Sequence, residues 1–210
     1  MIQVRDSYQV KFGKIDAAVD HFMSFPGRAT PGPYEILIDL SGEMYTLVSA
    51  LQVQSMAEWE NAQAGLSQGK EFQEWFRPFK QYVEAGTREI NRVEQDNDGW
   101  SARGAIVVRS RFRALEWRIA ETVDLLKTYG AMLVDASVGS RPRILTDASG
   151  PMFNTFIEIE TPDLKTWDEH RRGLFKDAQF QVWFLRLSAC VSHGSHTFFT
   201  VAGQTKHAGH

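Results

Sequence analysis

Two short stretches decide the fold of this chain: ILIDLSGEM at residues 36–44 and ILTDASGPM at residues 144–152. They lie 108 residues apart and share six identical positions. In each stretch an apolar run leads into Asp-x-Ser-Gly, where the glycine supplies the positive φ of a tight turn. Strand-forming residues on both sides of that turn predict a β-hairpin. The chain therefore contains the same hairpin twice.

The likeness extends outward from the hairpins over most of the chain. At the shift of 108, residues 33–94 align with residues 141–202 without a gap and share 16 identities in 62 positions, where ordinary residue usage gives roughly four. The alignment pairs FQEWF at 72–76 with FQVWF at 180–184. Residues before the hairpins align at a shift of 104. The sequence is a tandem duplication.

Each copy is predicted to form strand, helix, strand, strand, helix, strand, because segments of two-residue and helical periodicity follow one another in that order. This is the ferredoxin-like βαββαβ motif, an α+β fold. We predict a first repeat over residues 1–95, a linker over 96–104, a second repeat over 105–203 and a tail over 204–210.

A ferredoxin-like unit covers only one face of its sheet with helices, so the bare face needs a partner. Here the partner is covalently attached. We therefore predict that the two units pack sheet to sheet as an intrachain α+β barrel. The first repeat closes with V-x-x-G-T-R-E-I-N-R-V at residues 83–93, where the second repeat has His196-Thr197 in place of the Arg-Glu pair.

This closing segment and the element order resemble the dimeric α+β barrel superfamily in its tandem form, with NIPSNAP-like and antibiotic-biosynthesis-monooxygenase-like proteins as the nearest families. The superfamily includes monooxygenases, polyketide cyclases and haem proteins. The resemblance therefore implies either cofactor-free chemistry or a haem, with His170 or His196 as the histidine that would hold it. Fold alone does not choose among these activities.

The strand faces carry the candidate site. In the first strand of the second repeat, arginines alternate with apolar residues that are predicted to lie under the helices, which turns the arginines into the space between the two sheets. The third strand is predicted to add an amide, a carboxylate and two apolar side chains to that space, and Arg88 and His196 occupy equivalent positions on the final strands. The predicted ligand-binding residues are Arg88, Arg109, Arg111, Arg113, Met152, Asn154, Phe156 and His196.

Three functions follow from these faces. The leading hypothesis is a protein that binds a small anionic organic molecule between its two sheets, because guanidinium groups pair with carboxylates and phosphates. The alternative is a monooxygenase-type enzyme that acts on an aromatic substrate, cofactor-free or haem-dependent, with His196 or Glu158 transferring a proton. The third is a non-catalytic assembly protein with a filled interior and an exposed apolar patch. Equally open is a structural role in which the arginines pair with acidic neighbours.

Composition and residue spacing argue against several other classes of protein. A net charge of −3 and the lack of a basic cluster argue against nucleic acid as a partner, and the apolar runs are too short to span a membrane. The single Cys190 fits a reducing cytoplasm and is predicted to be an inert, buried thiol. His193 and His196 lie three apart on a strand, so no metal site is expected. The repeated tryptophans are predicted to pack the core, and exposed sheet edges make a homodimer an open expectation.

Overall fold

Two copies of the predicted motif follow one another in the computed structural model, which describes residues 1–25, 32, 34–97, 102–135 and 141–205. The first repeat contains β1 (Ile2–Val10), α1 (Ile15–Met23), β2 (Tyr34–Asp39), β3 (Thr46–Val53), α2 (Met56–Gln68), α3 (Lys70–Phe79) and β4 (Val83–Gln95). The second contains β5 (Ile106–Ala114), α4 (Ile119–Asp135), β6 (Arg143–Asp147), β7 (Asn154–Thr161), α5 (Leu164–Leu174), α6 (Ala178–Ser188) and β8 (Val191–Thr205).

Two boundaries differ from the sequence-based prediction. The second helix of each repeat is divided in two, and in the first repeat the break falls at Gly69, whose backbone is extended. Strand β8 runs to Thr205, so it continues past the predicted end of the second repeat at residue 203. Residues 98–101 of the predicted linker and 206–210 of the predicted tail lie outside the described part of the chain.

The eight strands close into one antiparallel barrel in the order β1-β3-β2-β8-β5-β7-β6-β4. Two pairings join the repeats, β2 with β8 and β4 with β6, and they are equivalent under the duplication. Closure therefore confirms the intrachain barrel. Among the described strands every edge is paired, so the exposed sheet edges from which a homodimer was expected are not present, and the homodimer stays an untested prediction.

The serine of the repeated Asp-x-Ser-Gly turn helps to close the barrel. Ser41 Oγ accepts the backbone N–H of Phe198 at 2.9 Å, and Ser149 Oγ accepts that of Ile90 at 2.9 Å. Each turn thus binds the last strand of the opposite repeat. Gly42 and Gly150 have φ values of 97° and 95°, as the hairpin prediction requires.

Apolar side chains occupy both faces of the barrel wall. Two large clusters lie outside, between the strands and the helices, one in each repeat. A smaller cluster that includes Leu37, Val107 and Phe199 lies inside the barrel. None of the described helices combines the length and apolarity that crossing a bilayer requires.

A strained residue marks the loop after β5. Trp117 has a φ of 66° and is 91% exposed, and the equivalent position of the first repeat holds Gly13 with a φ of 71°. A left-handed backbone costs a non-glycine residue about 1–2 kcal/mol. Because the indole ring is exposed, replacing it removes little buried apolar surface.

We expect Trp117→Gly to raise the free energy of unfolding by about 0.5–1 kcal/mol, since relief of the left-handed strain exceeds the extra entropy of glycine in the unfolded chain. Gly13→Ala, whose added Cβ meets no atom within 4 Å, is expected to lower it by about 1 kcal/mol. Urea denaturation measures both. Equal midpoints for the two variants and the wild type would contradict the assignment of strain.

Candidate functional site

The predicted inward face of β5 meets an acidic partner instead of an open cleft. Arg109 Nη1 donates to Glu158 Oε1 at 2.6 Å and Nη2 donates to Glu89 Oε2 at 2.9 Å. The guanidinium also lies 4.1 Å from the ring centroid of Phe156. These residues are inside the barrel, as the strand alternation predicted. The charge of Arg109 is thus balanced by two carboxylates, and its guanidinium packs over the ring of Phe156.

Glu158 is the centre of this interior ion cluster. Its carboxylate contacts Arg143 Nη1 at 3.0 Å and Arg5 Nη1 at 3.6 Å, and it accepts a hydrogen bond from Gln3 Nε2 at 3.1 Å. Burial by itself would raise the pKa of Glu158, but Arg109, Arg143 and Arg5 hold it at about 2. A carboxylate held ionised in this way is unsuited to accept a proton near neutral pH, so Glu158 does not fit the proton-transfer role proposed from the sequence.

The other predicted ligand residues on these two strands are spread toward one end of the barrel. Arg111 Nε donates to Asn154 Oδ1 at 2.9 Å, so this pair does not join the Glu158 cluster through a direct contact. Arg113 is exposed. Met152 is 65% exposed in the turn before β7. The structure therefore does not bring the eight predicted residues together as one site.

His196 and Arg88 lie on the opposite face from the arginine cluster, so their predicted place between the sheets is wrong. Phe199 and Val201 of β8 point into the barrel, and side-chain alternation then places His196 outside, under the helices. His196 lies opposite Ser110 in the strand register, and the equivalent Arg88 lies opposite Asp6. Each of the two residues borders a cavity between the sheet and its covering helices.

The inner cavity of the second repeat lies between the outer face of the sheet and helices α4, α5 and α6. It has a volume of about 80 Å³, enough for several water molecules or part of one aromatic ring. Its walls are Ser110, Phe112, Tyr129, Ile157, Trp167, Arg171, Leu174, Phe175, Phe180, Trp183, Phe184, Leu187 and His196. An outer cleft of about 410 Å³ adjoins it and shares six of these residues, including Phe112, Arg171 and His196.

One hydrogen-bonded pair supplies the polar chemistry of the inner cavity. Ser110 Oγ and His196 Nδ1 are 2.7 Å apart, and no other hydrogen bond of the His196 ring occurs among the described residues. Burial lowers the pKa of His196, and the positive charge of Arg171 lowers it further. The imidazole is therefore neutral at neutral pH. A neutral imidazole anchored through one nitrogen leaves the other free to act as an acid or a base.

The walls of the inner cavity are rigid and aromatic. Trp183 stacks on Tyr129 with ring centroids 4.6 Å apart, and its Nε1 donates to the carbonyl of Leu125 at 2.7 Å. Trp167 packs edge-on to His196 at 6.5 Å. Trp167 and Trp183 are buried, which agrees with the core-packing prediction, and they also form cavity walls. Rigid rings of this kind suit a flat, apolar ligand.

The first repeat has a matching cavity with different polar groups. Its volume is about 90 Å³, and Trp59, Phe72, Trp75 and Phe76 stand where the second repeat has Trp167, Phe180, Trp183 and Phe184. At the positions of Ser110, His196 and Arg171 it has Asp6, Arg88 and Gln63.

These three polar residues of the first repeat form hydrogen bonds with one another, and the arginine also packs against a tryptophan of the cavity wall. Arg88 donates to both oxygens of Asp6, at 2.6 and 2.8 Å, and to Gln63 Oε1 at 3.4 Å. Its guanidinium lies 4.9 Å from the centroid of Trp59. The first-repeat cavity has the same aromatic walls, but the acid–base pair equivalent to Ser110 and His196 is replaced there by the ion pair of Asp6 and Arg88.

Sequence reasoning missed Ser110, Arg171 and the cavity itself. The available signal was the contrast between the two copies, because the aromatic positions are shared while the polar positions that lie among them differ. His193 also borders the outer cleft, and no group of three or more metal-ligating His, Cys, Asp or Glu side chains occurs among the described residues. Cys190 is fully buried, as predicted, and accepts a hydrogen bond from Arg118 Nη2 at 3.3 Å.

Comparison with known proteins establishes the fold. The sequence matches no protein-family profile and no curated protein. A candidate monooxygenase from Fusobacterium nucleatum subsp. nucleatum shares the fold with a TM-score of 0.75 at 10% identity, over 98% of this chain and 94% of that one. A protein named anthrone oxidase-like gives 0.71 at 15% identity, over 97% and 92%. A haem-binding protein from Thermus thermophilus gives 0.54 at 12% identity, over 95% and 90%. The predicted tandem ferredoxin-like barrel is confirmed.

Proposed function

We propose that this chain is a cytoplasmic monooxygenase-type enzyme that oxidises an aromatic molecule bound across the inner cavity and the outer cleft of the second repeat, with His196 as the proton acceptor. The observation that carries the proposal is the Ser110–His196 pair, in which Ser110 is buried while His196 is exposed and borders both the aromatic inner cavity and the open outer cleft. The shared fold of solved proteins named as monooxygenases and anthrone oxidase-like supports the reaction class by analogy.

The proton step follows from the tautomer of His196. When Nδ1 carries the hydrogen and donates it to Ser110 Oγ, Nε2 has the lone pair that a general base needs. The lowered pKa keeps this lone pair free at neutral pH. The aromatic walls pack against the substrate rings and position the reacting carbon near Nε2.

A methylene group flanked by aromatic rings and activated by a carbonyl fits this site. Such a carbon gives up a proton to Nε2, and the electron pair left behind is delocalised over the rings. Dioxygen is the oxidant, and the substrate is the reductant. In the balanced reaction the methylene becomes a carbonyl, one oxygen atom enters the product, and the other leaves as water with the two hydrogens. No external reductant is needed.

The proposed reaction does not require a haem. Nε2 of His196 is the nitrogen that would hold a haem iron, and the macrocycle would have to lie in the outer cleft of about 410 Å³, because it is far larger than the inner cavity of about 80 Å³. His170 is half-buried on α5, does not border the inner cavity, and has a pKa lowered by burial. We therefore route no step through a haem.

A ligand between the two sheets is also less well supported, because the Glu158 cluster already pairs the buried arginines there. The filled interior instead matches one mark of an assembly protein. The other mark is exposed apolar surface, and Phe12, Trp117 and Leu185 are 81%, 91% and 70% exposed. Sedimentation of the purified chain over a concentration series tests this second candidate, which requires a concentration-dependent rise in mass.

Oxygen uptake with anthrone tests the proposed reaction. We expect one dioxygen consumed for each anthraquinone formed, at a rate above that of the protein-free solution, and one atom of ¹⁸O₂ in the product. An absorbance scan of the same sample checks for a haem band. A rate equal to the protein-free rate with anthrone and with 1,8-dihydroxyanthrone would contradict the proposal.

A further inference from the structure

The inner cavity and the outer cleft carry the positive charge of Arg171, and no acidic side chain among their described lining residues balances it. The other basic residues of the two linings are the imidazoles of His193 and His196, and neither described lining includes an aspartate or a glutamate. A surface of this kind, walled by apolar rings, attracts anions more strongly than neutral molecules. The charge of these walls therefore indicates that the ligand is an anion.

Among the described residues, Arg171 is the only arginine or lysine in either lining, and no described neighbour neutralises it. It makes no ion pair with any described residue, and its guanidinium lies over the ring of Phe175 at 5.8 Å from the centroid. The adjacent Arg172 differs, because its Nη2 is 2.6 Å from Asp168 Oδ2 and it borders neither space. Both arginines are exposed, but Arg172 is paired with Asp168, whereas Arg171 faces the cleft with no counter-charge among the described residues.

The equivalent cavity of the first repeat shows that the aromatic walls form without a positive charge at the position of Arg171. The position of Arg171 holds Gln63 in the first repeat, where the cavity walls are the same aromatic residues. The arginine of that cavity, Arg88, is neutralised by both carboxylate oxygens of Asp6. The two cavities therefore share their shape but differ in their net charge.

We infer that the molecule taken up by the second repeat is an aromatic acid, whose carboxylate, sulfonate or phenolate pairs with Arg171 in the outer cleft while the edge of one ring enters the inner cavity. The inference rests on the proposed function for the location of the site and adds the substrate class to it. A guanidinium at the edge of an aromatic pocket pairs with such an anion through charge-assisted hydrogen bonds. Arg171 is then the residue that selects acids over neutral analogues.

Two fluorescent probes that differ by one charge test the inference. 1-Anilinonaphthalene-8-sulfonate is N-phenyl-1-naphthylamine with an added sulfonate, and both gain fluorescence in an apolar site. We expect the wild type to bind the sulfonate more tightly. In Arg171→Gln, which installs the residue of the first repeat, the sulfonate dissociation constant should rise about five- to tenfold while that of the neutral probe changes less than twofold.

Arg172→Gln is the matched control, because it removes the same charge from the next position without touching the cleft. An equal loss of sulfonate affinity in Arg172→Gln and Arg171→Gln would overturn the inference, since the effect would then be general surface charge. Unchanged sulfonate affinity in Arg171→Gln would overturn it as well.

The probe experiment is independent of turnover. Charge selection that depends on Arg171 in a chain that does not oxidise anthrone would uphold the inference and reject the proposed reaction. Anthrone oxidation that needs His196, with no effect of Arg171→Gln on either probe, would uphold the reaction and reject the inference.

Discussion

Replacing Glu158 by glutamine is expected to lower the free energy of unfolding at pH 7 by about 3–5 kcal/mol, enough to unfold much of a marginally stable chain. The reason is the interior ion cluster. Arg5, Arg109 and Arg143 are 3%, 7% and 3% exposed, and all three contact the carboxylate that the substitution neutralises. Glutamine keeps the volume but leaves buried guanidinium groups without their shared counter-charge.

The pH dependence of stability provides the signature of this residue. The folded pKa of Glu158 is about 2, below the ordinary value of 4.5, so its ionised form stabilises the fold. That contribution is fully present above pH 4.5 and is lost as the pH falls toward 2, where the folded carboxylate takes up a proton. Urea denaturation of both proteins between these limits should show the difference between them shrinking as the pH falls.

Glu169→Gln is the control for charge loss in general. Glu169 is 66% exposed and lies 3.8 Å from Lys165, so its removal is expected to change the free energy of unfolding by less than about 0.5 kcal/mol. A Glu158→Gln variant as stable as this control at pH 7 would show that the interior cluster does not depend on its carboxylate.

Replacing His196 by glutamine is expected to reduce turnover of anthrone by about 100-fold or more, with little change in stability, because the variant keeps a polar side chain beside Ser110 but lacks a base. The wild-type rate is expected to rise with pH through the pKa of His196 and then level off. That pKa lies below 6.5 because of burial and of Arg171, so Arg171→Gln should move the rising limb to higher pH.

Two controls separate a proton-transfer role from a structural one. In His196→Ala, added imidazole should restore part of the lost rate, which a purely structural residue would not allow. His170→Gln, on α5 but not in the cavity wall, should keep more than half of the wild-type turnover. Full activity of His196→Gln would eliminate this residue as the base and, with it, the Ser110–His196 pair as the catalytic feature.

The sequence predicted the fold well because its decisive signals are local and occur twice. The hairpins around Gly42 and Gly150 and the two-residue alternation of β5 and β7 require only neighbouring residues. The alternation also placed Arg109 and Glu158 inside the barrel and Ser110 outside it. Duplication then implied a partner for each bare sheet face.

The candidate site was harder to predict, because apolar residues lie on both faces of β8 in its middle part. Phe198 packs under the helices and Phe199 packs inside the barrel, so apolar residues occur at consecutive positions and the alternation that would place His196 is lost. Its face is determined by its register against β5, which pairs it with Ser110. The aromatic cavity walls could not be recognised from the sequence either. Aromatic residues that pack a core and those that line a cavity have the same helical spacing.

The sequence by itself determined that this chain is a duplicated α+β unit whose bare sheet faces need each other, because turn chemistry and periodicity depend on residues that are close along the chain. Only the tertiary structure decided what those faces hold. The partners of Glu158 come from both repeats, as far as 155 residues away, and they turn a predicted ligand cleft into a filled ion cluster. Closure of the barrel fills the interior in this way, and we propose the reaction for the space beneath the helices, where His196 contacts Ser110.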